Sequence, residues 1–459
     1  MSSLRLHSID LLATMTGAEI GDGALLVRDG WIEKIGTTSE ITDAADESVD
    51  LSGHVVLPGL VNTHQHLWQS LARAVPAAQD AALVDWLMAL FPLWEKLTPD
   101  GVRTAGRLGA AGLALSGCTT VADHHYVWPN GIRMDDLVDG VAPVGVRAHL
   151  TRGGMSVGAS QGGLAADVLT EREDAIVDAT ERAVSAFHDP EAGAMMRIAA
   201  GPPSVLSTSA ELMRELGALA REHGIGLHTH LAETAGESER CVAAVGAPAL
   251  PYLESLGWSG EHVWFAHAVH LAPDEIRSLA GSGTGVAHCP TSNMRLGSGI
   301  APLGEFLREG VRVGLGVDGA ASNDSTDMFA EVRQAMLLAR VMAGMKGMGG
   351  IRHGSAGHRL LTARQMLRLA TAGGAEVLSR DDIGTLAPGK AADIVAVDLD
   401  RLRFAGQHDP LAALVLCGTA HVDQSWVHGR RVVEDGRLRT VDVDELTAEH
   451  RARSAELTA

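Results

Sequence analysis

Between residues 58 and 380 short apolar runs alternate with helical stretches, and eight such runs can be picked out: Gly59–Thr63, Thr119–Asp123, Gly145–Leu150, Met196–Ala200, Gly226–His230, Val263–Ala266, Gly285–His288 and Val311–Val317. Helical stretches such as Gly101–Leu115, Glu171–Phe187, Ser209–His223, Pro273–Gly281 and Ile300–Glu309 lie between them, and Asp327–Met345 and Thr362–Leu378 continue the pattern. A strand followed by a helix and another strand pairs in parallel, because only a crossover brings the chain back to the same edge. Eight such units close into a (β/α)8 barrel of the TIM type. In that α/β fold, chemistry gathers where the strands end.

The two ends of the chain read differently. Residues 1–57 contain three β-rich runs, one carrying Asp29-Gly30, a strong hairpin signal. After Arg380 the β character returns, with a Pro388-Gly389 turn, the apolar run Ile394–Val397 and a hairpin about His428-Gly429. Neither end has enough apolar material for a comfortable core alone. The expectation is one composite β-sandwich module from residues 1–57 and 381–442, a barrel over 58–380, and a charged C-terminal helix in 443–459. The glycine-rich stretch Met345–Gly350 lacks the Gly-Lys-Ser/Thr run of a phosphate-binding loop and reads as a flexible connection.

Composition narrows the functional classes. A hydrophobic fraction of 46% in 459 residues supports a sizeable core, and the formal charge of −20 argues against nucleic acid or an anionic membrane as partner. The four cysteines, Cys118, Cys241, Cys289 and Cys417, are scattered, which speaks against a disulfide framework or a zinc ribbon. With no export-signal pattern at Met1–His7 and no long uncharged apolar run, the chain reads as cytoplasmic.

The first barrel strand runs into His64-Gln65-His66. Residues two apart on a strand share a face, so both imidazoles can converge on one point. The fifth strand ends in His228-Thr229-His230 with Glu233 just beyond, the sixth ends at His267, and the eighth ends at Asp318. Imidazoles and a carboxylate facing one another across a barrel mouth suit zinc or another borderline divalent ion such as ferrous iron. His228 shares the strand face with His230 and is assigned to support of the ligands, since a tetrahedral site has few places. His270 and His288 stay outside the ligand set.

The motifs PGLVNTHQH, HTHLAE, FAHAVHL, CPTSNMRLGSG and GLGVDGAASND together resemble the amidohydrolase superfamily, in its single-metal deaminase and chlorohydrolase branch. The likeness covers nearly the whole chain. Within the branch, HQHLWQSLARAVPAAQDAALVDWL, ADHHYVWP, TRGGMSVG and LRFAGQHDPLAALVLCG are similar to bacterial 8-oxoguanine deaminases. The resemblance implies one divalent metal ion, zinc first and ferrous iron as the alternative, held by His64, His66, His230 and Asp318. It implies Glu233 as proton shuttle to a ring nitrogen, His267 as the residue that holds and helps deprotonate the attacking water or orients the tetrahedral intermediate, and Asp318 as a base toward that water. Two-metal relatives carry a lysine at the end of strand four, and here that strand ends Arg197–Ser204 without one. The zinc cytidine-deaminase signature is absent as well. A homo-oligomer is also implied.

The expected reaction is hydrolytic deamination of an amino-oxopurine, 8-oxoguanine to urate and ammonia. The alternatives are guanine, isocytosine, isoxanthopterin or an s-triazine, and, more remotely, an inactive metal-binding protein. For a small heterocyclic substrate, Gln69 and Arg152 are candidate hydrogen-bonding groups. Trp68 and Trp128, with Trp86 and Tyr126, are candidate stacking surfaces. The aromatics draw attention because they make up only 3% of the chain.

Overall fold

The computed structural model describes residues 3–345, 360–418 and 421–458. Nearly all of the glycine-rich stretch Met345–Gly350 lies outside them. Five N-terminal strands come first: β1 (Ser3–Ala13), β2 (Glu19–Arg28), β3 (Trp31–Thr37), β4 (Glu47–Asp50) and β5 (His54–Pro58). Eight more follow: β6 (Leu60–Asn62), β7 (Cys118–His125), β8 (Arg147–Arg152), β9 (Met196–Ala200), β10 (Gly226–Leu231), β11 (Val263–His267), β12 (Gly285–His288) and β13 (Arg312–Leu315). These eight form a closed parallel barrel, shut by the pairing of Leu315 in β13 with Asn62 in β6. Eight βα units thus close as the alternation requires.

The last four strands, β14 (Ile394–Asp398), β15 (Gln424–Val427), β16 (Arg430–Glu434) and β17 (Arg437–Leu438), join β1–β5 in one nine-stranded sheet. The seam is β5 against β14, antiparallel over five residue pairs from Ile394–Pro58 to Asp398–His54. This sheet has its own core of Leu6, Ile9, Leu25, Val56, Ile394 and Trp426, which is why neither chain end needs to fold alone. Asp29-Gly30 and His428-Gly429 make the turns with both residues at positive φ (47° and 85°, 49° and 74°), the backbone that a two-residue hairpin of matching twist demands.

Two features tie the periphery to the barrel mouth. The helix Val443–Thr458 lies against the helix Pro99–Leu115, with Thr104 Oγ1 donating to Glu449 at 2.6 Å, and against the short turn Leu67–Ala72 through Ser454 Oγ and the Leu71 carbonyl at 2.8 Å. From the stretch Gln69–Thr98, Gln69 and the helix Leu83–Trp94, through Trp86 and Phe91, border the cavity that His66, His230 and Asp318 also line. No helix among the described residues is long and apolar enough to cross a membrane.

Candidate metal and substrate site

The strand ends deliver their polar side chains to one place. His64 and His66 follow β6, His230 sits near the end of β10, His267 closes β11 and Asp318 stands three residues past β13. His64, His66, His267 and Asp318 are all buried. Sharp backbone turns aim them: His267 has φ 71°, Asp318 φ 61°, and Ala232, just before Glu233, φ 48°. Non-glycine residues in this left-handed region cost about 1–3 kcal/mol each, and such strain gathers at working sites.

The hydrogen bonds settle which ring nitrogen of each histidine is free. His66 Nδ1 donates to the His124 carbonyl at 2.6 Å, and His230 Nδ1 to the Pro203 carbonyl at 2.6 Å. His228 Nδ1 donates to the Trp264 carbonyl at 2.9 Å, so its Nε2 can only accept, and it accepts from His64 Nδ1 at 2.7 Å. Each of His64, His66 and His230 is left with a bare Nε2 lone pair. Burial, with His64 alongside, pushes the His66 imidazole down to about 3, so it stays neutral.

These lone pairs face one another with no proton between them. His66 Nε2 lies 3.1 Å from His230 Nε2, and Asp318 Oδ1 lies 3.2 Å from His64 Nε2 and 3.4 Å from His66 Nε2. The His64 Nε2 atom has no hydrogen-bond partner among the described residues. Four acceptors in contact, three of them buried and His230 partly so, repel unless a cation sits between them. A tetrahedral ion with ligand bonds of about 2.0–2.1 Å sets its donors about 3.3–3.4 Å apart, which matches. The donor set therefore fits a divalent ion of the zinc type.

Around this point lie the remaining polar groups. His267 Nδ1 donates to Asn293 Oδ1 at 2.9 Å, which turns Nε2 toward Glu233 Oε2 at 3.7 Å and Asp318 Oδ2 at 3.8 Å. Ser322 Oγ donates to Asp318 Oδ2 at 3.1 Å. The two oxygens of Asp318 thus have separate surroundings, Oδ1 on the imidazoles and Oδ2 on the cavity. Burial, reinforced by the charges of Asp318 and Glu237, pushes the Glu233 carboxyl up to about 7 against the pull of His267. A cavity of about 130 Å³ opens beside these groups and is walled by Gln69, Trp86, Phe91, Tyr126, Met155 and Glu233 among others.

The amidohydrolase family model matches residues 55–432. The chain belongs to the amidohydrolase family. It is 43% identical to the 8-oxoguanine deaminase of Pseudomonas aeruginosa over 440 residues, 95% of each protein. It is 41% identical over 421 residues to an isoxanthopterin deaminase from an unknown prokaryotic organism, covering 89% of this chain and 87% of that one. Among solved structures, the atrazine chlorohydrolase from Arthrobacter aurescens TC1 complexed with zinc superposes with a TM-score of 0.92 at 30% identity, over 98% of this chain and 100% of that one.

In this amidohydrolase the six residues His64, His66, His230, Glu233, His267 and Asp318 come together, and Gln69 joins them from the turn after β6. Arg152 and Trp128 do not. Arg152 is forked onto Glu171 at 2.6 and 3.0 Å, its guanidinium lies 4.3 Å above the Trp128 ring, and Trp128 Nε1 donates to the Gly153 carbonyl at 2.8 Å. Both line a separate groove against the helix Glu173–Phe187. Arg152 is the terminal residue of β8, and at a strand end the face of a side chain depends on a single residue of register. Trp68 is also set back: it packs against His66, with ring centres 5.0 Å apart, and against Trp94 and His125, so it supports a histidine instead of facing the cavity. Trp86 and Tyr126 do face it.

Asn293, Ser322 and Glu237 escaped sequence reasoning. Asn293 and Ser322 lie inside the motifs CPTSNMRLGSG and GVDGAASND, but neither has a spacing that links it to the histidine or carboxylate it touches.

Proposed function

We propose that this protein catalyses the hydrolytic deamination of an amino-oxopurine, 8-oxoguanine first, giving urate and ammonia. Beyond the likeness to the 8-oxoguanine deaminase, one observation carries the reading. The Gln69 amide is buried, borders the cavity, and finds no partner for either Nε2 or Oε1 among the described residues. An unmet donor and an unmet acceptor on one planar group are the complement of a cyclic amide edge, in which N–H and C=O lie side by side. Leaving such a pair buried and unanswered is costly unless a ligand answers it. The space for that amide is reserved by Gly319, where a Cβ would fall 1.8 Å from Gln69 Oε1.

His64, His66, His230 and Asp318 would hold a single Zn²⁺, with Fe²⁺ as the other ion their donors suit. Such an ion lowers the pKa of a water from 15.7 to about 7 and so supplies a nucleophile at neutral pH. His267, fixed by Asn293, orients the attacking water from one side. Asp318 Oδ2 takes its proton. Glu233 gives a proton to the ring nitrogen next to the amino-bearing carbon, which makes that carbon accept the attack; the proton held by Asp318 then passes to the amino group, the C–N bond breaks to release ammonia, and the proton of the added hydroxyl returns to Glu233 as the carbonyl forms. A carboxyl held at about 7 keeps both of its forms available near neutral pH, as a proton shuttle needs. Trp86 and Tyr126 flank the ring in the cavity.

The test is ammonia release by the zinc-loaded protein, followed alongside ultraviolet change, with 8-oxoguanine, guanine, isocytosine, isoxanthopterin and amino-triazines. Turnover of 8-oxoguanine with the highest kcat/KM is expected. Glu233→Gln is expected to lose about 10²–10⁴-fold. No ammonia from any of these rings would leave a metal-binding protein without this activity. A higher kcat/KM with isoxanthopterin would replace the purine by a pterin.

A further inference from the structure

We infer that Glu237 is a positioning residue that aims Glu233 into the cavity by holding the backbone on which Glu233 is carried. The inference rests on the role proposed for Glu233. Strand β10 ends at Leu231, and the chain then passes through Ala232 at φ 48° before Glu233 and the helix Ala235–Val245. Alanine has no chemical preference for this left-handed conformation, so something outside the turn must hold it.

Glu237 does so from the third position of that helix. A glutamate there commonly reaches back to the amide of the residue that caps the helix, here Thr234. Instead it reaches further. Glu237 Oε1 accepts the Ala232 amide at 3.2 Å and Oε2 accepts the Glu233 amide at 2.9 Å. One carboxylate thus clamps two successive N–H groups, one on each side of the strained residue. The Ala232 carbonyl is pinned from the other side by the amides of Val269 and His270, at 3.1 and 3.0 Å. Ala232 is therefore fixed between the loop after β10, which carries Glu233, and the loop after β11, which His267 leads into.

Glu237 is only 6% exposed, although it borders the cavity. Burying a carboxylate is costly without strong donors, and no arginine or lysine hydrogen bond or ion pair to it is seen among the described residues; two amides serve instead. The direct contacts of Glu233 itself are weak by comparison: Ser298 Oγ stands at 3.4 Å and His267 Nε2 at 3.7 Å. The side chain of the proton shuttle is thus free to swing between water and ring nitrogen, while its Cα is held. Among the described residues no hydrogen bond or ion pair joins Glu237 to His64, His66, His230 or Asp318, so its removal leaves the proposed metal ligands with their own partners.

The test compares the zinc-loaded wild-type protein with Glu237→Gln and Glu237→Ala. A glutamine keeps one acceptor and an alanine none. Graded losses in kcat are expected, about 10-fold for glutamine and about 100-fold for alanine, the scale of a misplaced acid–base group. KM, bound zinc per chain and Tm should stay near wild type for Glu237→Gln. Equal kcat in Glu237→Gln and wild type would overturn the inference. So would a loss of kcat that tracks loss of zinc or of folded protein. A crystal structure of Glu237→Gln provides a readout independent of turnover. Displacement of the Glu233 carboxylate from its place beside His267 is expected, and an unmoved Glu233 would overturn the inference even if the wild-type protein deaminated none of the rings tried. Wild-type inactivity would count against the proposed reaction alone.

Discussion

His64 donates from Nδ1 to Nε2 of His228 across 2.7 Å, and that single hydrogen bond decides which nitrogen His64 presents to the barrel mouth. His228 can accept only because its own Nδ1 is engaged with the Trp264 carbonyl, and its ring is stacked on Trp264 with the planes 15° apart. Replacing His228 with phenylalanine keeps a flat ring on Trp264 but removes the acceptor. Zinc affinity should fall about 10–100-fold, the usual effect of losing a group that orients a ligand. Competition against a chelating dye measures it. Unchanged affinity would mean that His64 holds its tautomer without help.

Gln69 is the polar group that we expect to choose the ring. Gln69→Leu fills the same space without donor or acceptor. The substrate edge would then be buried unpaired, at a cost of about 1–3 kcal/mol, or roughly 5–150-fold in kcat/KM. Gly319→Ala should act in the same direction by displacing the amide. Zinc content should be unaffected in both. Steady-state kinetics decide the matter, and wild-type kcat/KM in Gln69→Leu would remove Gln69 from recognition.

Arg152 should behave as a structural residue. In Arg152→Lys the charge remains, but the fork onto Glu171 and the stack on Trp128 are lost. Stability should drop by about 1.5–3 kcal/mol, read from the urea midpoint. KM should not change. A raised KM in a variant of wild-type stability would return Arg152 to the substrate site.

Acid should weaken the protein in part through Asp382. Burial opposes the charge on its carboxyl, but the two-pronged hydrogen bond from Arg380 and the charge of that guanidinium outweigh it and hold the carboxyl well below its ordinary range. The unfolded chain, with an ordinary value of about 3.9, then binds a proton more readily than the folded one. The stabilisation is complete above about pH 4 and drains away as pH falls below it. Asp382→Asn leaves Arg380 without its counter-charge and should cost about 3–5 kcal/mol at pH 7. The gap from wild type should narrow as unfolding is measured at pH 5, then 4, then 3. A gap independent of pH would show that Asp382 does not carry this titration.

The barrel could be read from the chain because each βα unit writes its own signature in neighbouring residues, a short apolar run for a strand buried on both faces and a 3.6-residue period for the helix. The limits of β9 and β12 fall where the apolar runs begin and end, while the eighth run, Val311–Val317, yields a strand of only Arg312–Leu315. The shortening lets Asp318 leave the sheet in a left-handed turn. His64, His66, His230 and His267 were legible for the same local reason: they are strand-end histidines in recognisable runs. Arg152 was not, although it too ends a strand, because facing in or out depends on one residue of register set by the neighbouring strands.

The candidate donors and their order along the chain are local features that the sequence displays: imidazoles and a carboxylate at barrel-strand ends, with Glu233 three residues past one of them. Everything that turns these donors into a device depends on contacts between distant segments. His64 meets His228 across 164 residues, His267 meets Asn293 across 26, and Gln69 finds its room beside Gly319. A tautomer, an inward face or a reserved space is a relation between two surfaces. No single stretch of sequence contains it until the barrel closes and brings both surfaces together.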